Sequence, residues 1–294
     1  MSAQSTTEHA RRLAAIYRDV PAADREGFER FRRDHPLQAV ERNGVTWEYR
    51  TGGSGDRTLL FFPGAQGTGE AAWGTLDHFT PRFRWIAPSY PAVPTMAELA
   101  DGVAALLDRE GLGSVDVVAG SYGGFVAQVF VRRHPGRVAR LVLSHTAPPN
   151  PARGQVIDKS LRWLPILPMF LLRLQYRRVM SALLPNLPEL AWTRAYLEEI
   201  IAFHLTKKGM IDGYRRVVDF DLRHRLTPED LAGWPGRVLL LFGDNDPATP
   251  APVRERMQAL HPGAEVRVFT GTGHAASVLK REEYRDAMDH FLAG

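Results

Sequence analysis

The sequence predicts an α/β fold. It has a mostly parallel central sheet covered by helices on both faces, a helical cap insertion and an N-terminal helical extension. Three observations predict it. Runs such as Leu59–Phe62 and Val238–Phe242 are continuously apolar, as strands buried on both faces are. Segments of helical periodicity alternate with those runs. Between residues 147 and 226 the alternation lapses into a proline-punctuated helical texture and then resumes.

Each element follows from its local pattern. Leu13, Ile16, Tyr17 and Val20 share one face of a helix that Pro21 ends, and Phe28 and Phe31 mark a second short amphipathic helix. The polar face of this arm mixes both charge signs, whereas a membrane-surface helix would be basic there. Val45–Arg50 alternates like a half-buried strand, and Gly52-Gly53 turns the chain. Leu59–Phe62 is a buried strand stopped by Pro63-Gly64, and Trp85–Ala87 is a second. Thr95 and Glu98 have capping-box spacing ahead of the apolar face Met96, Leu99, Val103, Leu106 and Leu107, and Gly111 stops that helix. Val115–Ala119 is a strand, a helix runs from about Gly124 to His134, and Ala139–Ser144 is a strand again. After the insertion come the strands Val238–Phe242 and Glu265–Phe269, then a closing helix with Tyr284, Met288, Phe291 and Leu292 on one face. The expected organisation is an extension over residues 1–37, a core over 38–146 and 227–294, and a helical lid over 147–226.

Composition narrows the function. The chain has 294 residues, 44% of them hydrophobic and 24% charged, which suits one large domain with an insertion. The net charge is +4, but acidic residues are interspersed and no long basic run exists, so nucleic acid is not the expected partner. There are no cysteines, which excludes disulfides, thiol catalysis and cysteine-ligated zinc. No pair of histidines has the H-x-x-x-H spacing, and no metal or other cofactor is expected. The N-terminus lacks a secretory apolar core, and the most apolar stretch, Trp163–Leu172, is too short to span a bilayer. The expectation is a soluble, cytoplasmic protein without a membrane span.

The stretch Ala119-Gly120-Ser121-Tyr122-Gly123 carries the chemistry. Ligands of an open parallel sheet bind at the carboxyl ends of its strands, and Ser121 sits at such an end just before a helix. A serine projected from so sharp a turn needs small residues two positions to either side, here Ala119 and Gly123. A hydroxyl becomes a useful nucleophile only when a base takes its proton. Two later loops each follow a strand and offer partners: Gly243-Asp244-Asn245-Asp246 and Thr270-Gly271-Thr272-Gly273-His274. Each element alone has a structural explanation, as a turn serine, a loop glycine or a core histidine. In this order, each after a strand, they point to a catalytic triad.

These motifs resemble those of the α/β-hydrolase family, over about residues 38–294, with alanine where the usual G-x-S-x-G has its first glycine. The resemblance implies a serine hydrolase acting on small-molecule esters through an acyl-serine intermediate. It assigns the nucleophile to Ser121, the base to His274 and the acid to Asp246, which lies three residues past Gly243; Asp244 is left to the turn. It places the oxyanion hole at the N–H groups of Tyr122 and Ala65, the latter in Pro63-Gly64-Ala65 where the family commonly begins with His-Gly. Locally, "FFPGAQGTGEAAW", "PSYPAV" and "GSYGGFVAQVF" are similar to maspardin-like α/β-hydrolases. Those proteins lack a complete triad, so that resemblance implies a non-catalytic binding module as the alternative. Thioesterase, lactonase and C–C hydrolase chemistry share the same triad. For the pocket, the sequence offers His145 and Tyr90 at strand ends, and Trp163, Met169 and Phe170 in the insertion. The apolar run of the insertion either lines an acyl pocket or docks the cap on the core. Tyr122, beside the nucleophile, is expected to narrow one side.

Overall fold

The computed structural model describes residues 3–294. Met1 and Ser2, the start of the extension expected over 1–37, lie outside the described residues. The arm is two helices, α1 (Ala3–Ile16) and α2 (Ala22–Asp34). Strand β1 (Gln38–Arg42) then pairs antiparallel with β2 (Val45–Gly52). Their two-residue turn, Asn43-Gly44, has φ of 52° and 73°. Positive φ at both positions matches the right-handed twist of the strands, and Asn-Gly accepts it at little cost.

The alternation proper begins with β3 (Thr58–Phe62), α3 (Trp73–Phe79) and β4 (Arg84–Pro88). It continues with α4 (Met96–Arg109), β5 (Val115–Gly120), α5 (Tyr122–Arg133) and β6 (Val138–Ser144). The capping box expected at Thr95 and Glu98 is formed at the start of α4. Four helices separate β6 from the next strand: α6 (Pro151–Leu161), α7 (Met169–Leu183), α8 (Ala191–Glu199) and α9 (Lys207–Arg223). The fold closes with β7 (Arg237–Gly243), α10 (Ala251–Leu260), β8 (Glu265–Phe269), α11 (Ala276–Leu279) and α12 (Arg281–Ala293).

The eight strands form one sheet in the order β1-β2-β4-β3-β5-β6-β7-β8. From β4 to β8 every neighbouring pair is parallel, and only β1–β2 and β2–β4 are antiparallel. The mostly parallel α/β prediction holds. Side chains alternate across this sheet with a period of two. Leu60 and Phe62 of β3 join Val117, Leu141 and Leu143 in a core under α4 and α5. Leu59 and Phe61 join Val118, Val142 and Leu241 in a second core on the other face, which takes in Phe28 and Phe31 of α2 and Met288 and Phe291 of α12. Burial on both faces is why these strands read as unbroken apolar runs. Among the described residues no helix is long and apolar enough to cross a membrane.

Candidate active site

Strand β5 ends at Gly120, and the chain turns into α5 through Ser121, whose φ is 52° and ψ −121°. A non-glycine residue at positive φ costs on the order of 1–3 kcal/mol and persists only where its surroundings impose it. Here the crossing is tight. A Cβ on Gly123 would lie 2.3 Å from the carbonyl oxygen of Phe62, and one on Gly124 would lie 2.3 Å from Oγ1 of Thr146. No larger residue fits at Gly123 while α5 keeps its seat on the sheet. The Ser121 N–H donates to the carbonyl of Ser144 at 2.8 Å, anchoring the turn to the end of β6.

The loops after β7 and β8 bring two partners to this turn. Ser121 Oγ lies 2.9 Å from His274 Nε2, and His274 Nδ1 lies 2.8 Å from Asp246 Oδ2. With the ring proton on Nδ1, the imidazole donates to the carboxylate and leaves Nε2 free to accept from the serine. Asp246 is 2% exposed. It also accepts from the N–H of Ala248 at 2.9 Å and from the hydroxyl of Thr249 at 2.8 Å. Burial works against its carboxylate, but His274, Ala248 and Thr249 together outweigh it and hold the carboxyl below its usual range. Asp244 instead accepts from the N–H of Thr272 at 3.2 Å and ties the two loops together.

His145 lies beside this row. Its ring centroid is 5.6 Å from that of His274, and its Nδ1 is 2.7 Å from Ser144 Oγ. Burial pushes its pKa down to about 4, with the neighbouring His274 acting in the same direction, so the ring is neutral at pH 7. It is also at positive φ, 49°, making two strained residues at the ends of adjacent strands.

The N–H groups of Ala65 and Tyr122 have no hydrogen-bond acceptor among the described residues. Tyr122 opens α5, where the first N–H groups of a helix lack internal partners. The carbonyl of Ala65 accepts from the Tyr176 hydroxyl of α7 at 3.0 Å, which ties this loop to the helices after β6.

A cavity of about 430 Å³ opens above Ser121 and His274. His145 and Ala65 line it, and its apolar wall includes Met180, Leu183, Leu184, Leu190 and Trp192. Ala23, Gly27 and Arg30 of α2 and Trp73 of α3 form another side. The remaining pocket residues expected from sequence are placed elsewhere. Trp163 is 55% exposed and Phe170 67% exposed, and neither they nor Met169 line this cavity. Tyr90 is also outside it, with its hydroxyl donating to the carbonyl of Pro63 at 2.7 Å. The Tyr122 hydroxyl accepts from Arg216 Nε at 2.6 Å, and Tyr122 is not among the residues that line the cavity. This placement has a physical reason. The run Met169–Leu172 is apolar all round the helix, so density alone cannot say which side faces in. The spacing Leu172, Tyr176, Met180 and Leu183 could have found the inward face. No sequence signal marks α2 as a wall. Among the described residues no cluster of three or more His, Cys, Asp or Glu side chains could hold a metal ion.

A strand-ending serine with a histidine and a buried carboxylate behind it, on an eight-stranded sheet of this order, is an arrangement of one large class of enzymes. The sequence matches the profile of the alpha/beta hydrolase family over residues 59–287, and the chain belongs to that family. The dihydrolipoyllysine-residue acetyltransferase component of an acetoin cleaving system from Cupriavidus necator is 27% identical, over 87% of this chain and 69% of its own. A putative carbamate hydrolase from Caulobacter vibrioides is 25% identical, over 72% of this chain and 76% of its own. An esterase structure from Exiguobacterium antarcticum superposes with a TM-score of 0.70 at 17% identity, covering 88% of this chain and 98% of that one. At that identity the likeness is one of fold.

Proposed function

We propose that the protein is a serine hydrolase that cleaves carboxylic esters with apolar groups through an acyl-serine intermediate. One observation carries the reading: the continuous relay from Ser121 Oγ to His274 Nε2, at 2.9 Å, and from His274 Nδ1 to Asp246 Oδ2, at 2.8 Å, at the floor of a cavity. In this reading Ser121 attacks the ester carbonyl and its proton passes to His274 Nε2. The tetrahedral oxyanion takes the free N–H groups of Ala65 and Tyr122. Each such donor is worth about 10²–10³ in rate. Collapse breaks the bond to the alcohol, which leaves with the proton from His274. Water then attacks the acyl-serine with His274 again as base, and the acid departs. Asp246 keeps the imidazole in the required tautomer and stabilises the imidazolium. Residues 147–226 act as the lid, and the apolar side chains of Met180, Leu183 and Trp192 support an apolar substrate group. These steps call for no cofactor.

The test is labelling and turnover together. A fluorophosphonate probe is expected to label Ser121 stoichiometrically, p-nitrophenyl esters to be hydrolysed, and Ser121→Ala to lose both. A folded protein that resists the probe and turns over no ester, thioester, lactone or carbamate would leave only a binding role.

A further inference from the structure

Helix α7 is apolar on the side that faces the protein and apolar again on the side that does not. Leu172 and Met180 are buried, whereas Phe170, Leu171, Leu174 and Val179 are 67, 38, 56 and 48% exposed. At about 100° per residue these four fall within one half of the helix, together with Arg178. The segment before the helix adds Trp163 at 55% and Ile166 at 69%. Seven of the eleven exposed large apolar side chains among the described residues lie between Val156 and Val179. Scattered single apolar side chains are ordinary on a protein surface, but this concentration is not.

The charge of this segment is equally uneven. Residues 151–183 hold six basic residues and one acidic residue, Asp158, a net +5 in a chain whose total is +4. The rest of the chain therefore sums to −1. Arg153 and Arg177 are committed to Asp221 and Glu198. Lys159, Arg162 and Arg178 are exposed and have no carboxylate partner among the described residues. The Arg162 guanidinium lies 5.2 Å from the Trp163 ring centroid, so cation and ring project side by side.

We propose that this face of the cap docks on an anionic lipid surface. Aromatic rings and leucines enter the boundary between headgroups and acyl chains, while the flanking cations meet the headgroups. Face-to-face docking of a second copy would set those unpaired cations against one another, and an uncharged surface would leave them unanswered. The helix that carries the outward face also supplies Met180 and Leu183 to the cavity above Ser121. A docked chain thus holds that cavity about one helix diameter, ~10 Å, from the lipid.

The inference does not rest on the proposed reaction, and it is tested on the full chain carrying Ser121→Ala, so that binding is read without turnover. Vesicles of equimolar phosphatidylglycerol and phosphatidylcholine, and vesicles of phosphatidylcholine alone, are sedimented with the protein at ~0.1 M salt. Binding to the anionic vesicles is expected, and much weaker binding to the neutral ones. Each lost surface cation weakens binding about fivefold, so Arg162→Glu with Arg178→Glu is expected to cost about 25-fold or more on anionic vesicles. Ile166→Ser with Leu174→Ser is expected to weaken binding to both kinds. All four positions are exposed, so thermal melts of both variants are expected to match the parent. Failure to bind anionic vesicles, equal binding to both kinds, or indifference to the charge reversal would overturn the proposal. So would a dimer that the Ile166→Ser, Leu174→Ser variant disperses, in a chain that ignores vesicles.

Discussion

Two buried histidines are expected to make the stability of this protein fall in mild acid, in a window above the one in which its carboxylates titrate. His145 is 5% exposed and His261 4% exposed. Burial pushes the first down to about 4, helped by His274, and the second down to about 3, helped by Arg132. In an unfolded chain both titrate near the ordinary value of about 6.5. The folded pKa lies below the unfolded one, so the unfolded state binds more protons and stability falls as pH drops through 6.5 towards those depressed values. Between about pH 7.5 and about pH 5 each histidine costs roughly 2 kcal/mol, or about 4 kcal/mol for the pair. The carboxylates act lower. Burial opposes the charged form of Glu199, but His204, Arg32 and Tyr17 hold its pKa at about 2. Its contribution is lost only as pH falls from the ordinary carboxylate range of about 4.3 towards that value. Urea unfolding at about pH 7.5 and about pH 5 reads the difference. His261→Gln is expected to reduce the loss from about 4 to about 2 kcal/mol, whatever it does to stability at the higher pH. A loss unchanged by the substitution would refute the assignment of this window to buried neutral imidazoles.

Three further perturbations have defined outcomes. Asp246→Asn leaves Ser121 and His274 in place but favours the wrong imidazole tautomer, so kcat on p-nitrophenyl esters is expected to fall about 10⁴-fold with KM within a few-fold; a change confined to KM would contradict the role. Gly123→Ala sets a Cβ 2.3 Å from the Phe62 carbonyl, and since α5 cannot shift without tearing the core, a loss of at least about 3 kcal/mol is expected in thermal or urea melts. A parental melting temperature would mean that the elbow is looser than it looks. Tyr17→Phe removes the donor that lies 2.6 Å from the buried Glu199, and the expected cost is about 1–3 kcal/mol in urea melts at neutral pH. An unchanged midpoint there would show that the Tyr17 hydroxyl adds nothing to the hold of Arg32 and the apolar face on the arm.

What could be read from the sequence was local, and what could not was a matter of facing. A strand buried on both sides, such as Leu59–Phe62, announces itself because every residue in it must be apolar. The elbow announces itself because a crossing this close admits only small residues around Ser121. The Asn43-Gly44 hairpin turn is equally local, since that dipeptide between two extended runs is a strong short-range signal. Phe170 is different. Whether a ring on an apolar helix points at a cavity or at solvent depends on how the helix rotates against the core, and a window apolar on all sides leaves that rotation unspecified. Met180 and Leu183 entered the cavity for the same reason that Phe170 left it. Tyr122 shows the same limit at one residue: its position beside Ser121 could be read, but its partner Arg216 lies 94 residues away.

Helices α1 and α2 precede the region matched by the family, residues 59–287, yet α2 lines the cavity above Ser121. A buried polar cluster fixes how it sits. Arg32 of α2 pairs with Glu70 and with Glu199 at the end of α8, Arg50 of β2 pairs with Glu70 at 2.5 Å, and the Tyr196 hydroxyl donates to Glu70 at 3.1 Å. Two arginines thus meet two glutamates, and the cluster is neutral as a whole. Such a cluster adds little net stability over an apolar replacement, because desolvating four charges offsets most of their attraction. Its effect is on geometry, since Arg50, Glu70 or Glu199 left alone would be a buried unpaired charge. It therefore locks the arm, the β2 edge, the segment after β3 and α8 into one arrangement. That segment begins with the loop of Ala65, and α8 contributes Trp192 to the cavity wall. The width of the cavity and the aim of the Ala65 N–H are consequently set in part by a helix pair that the family match does not include.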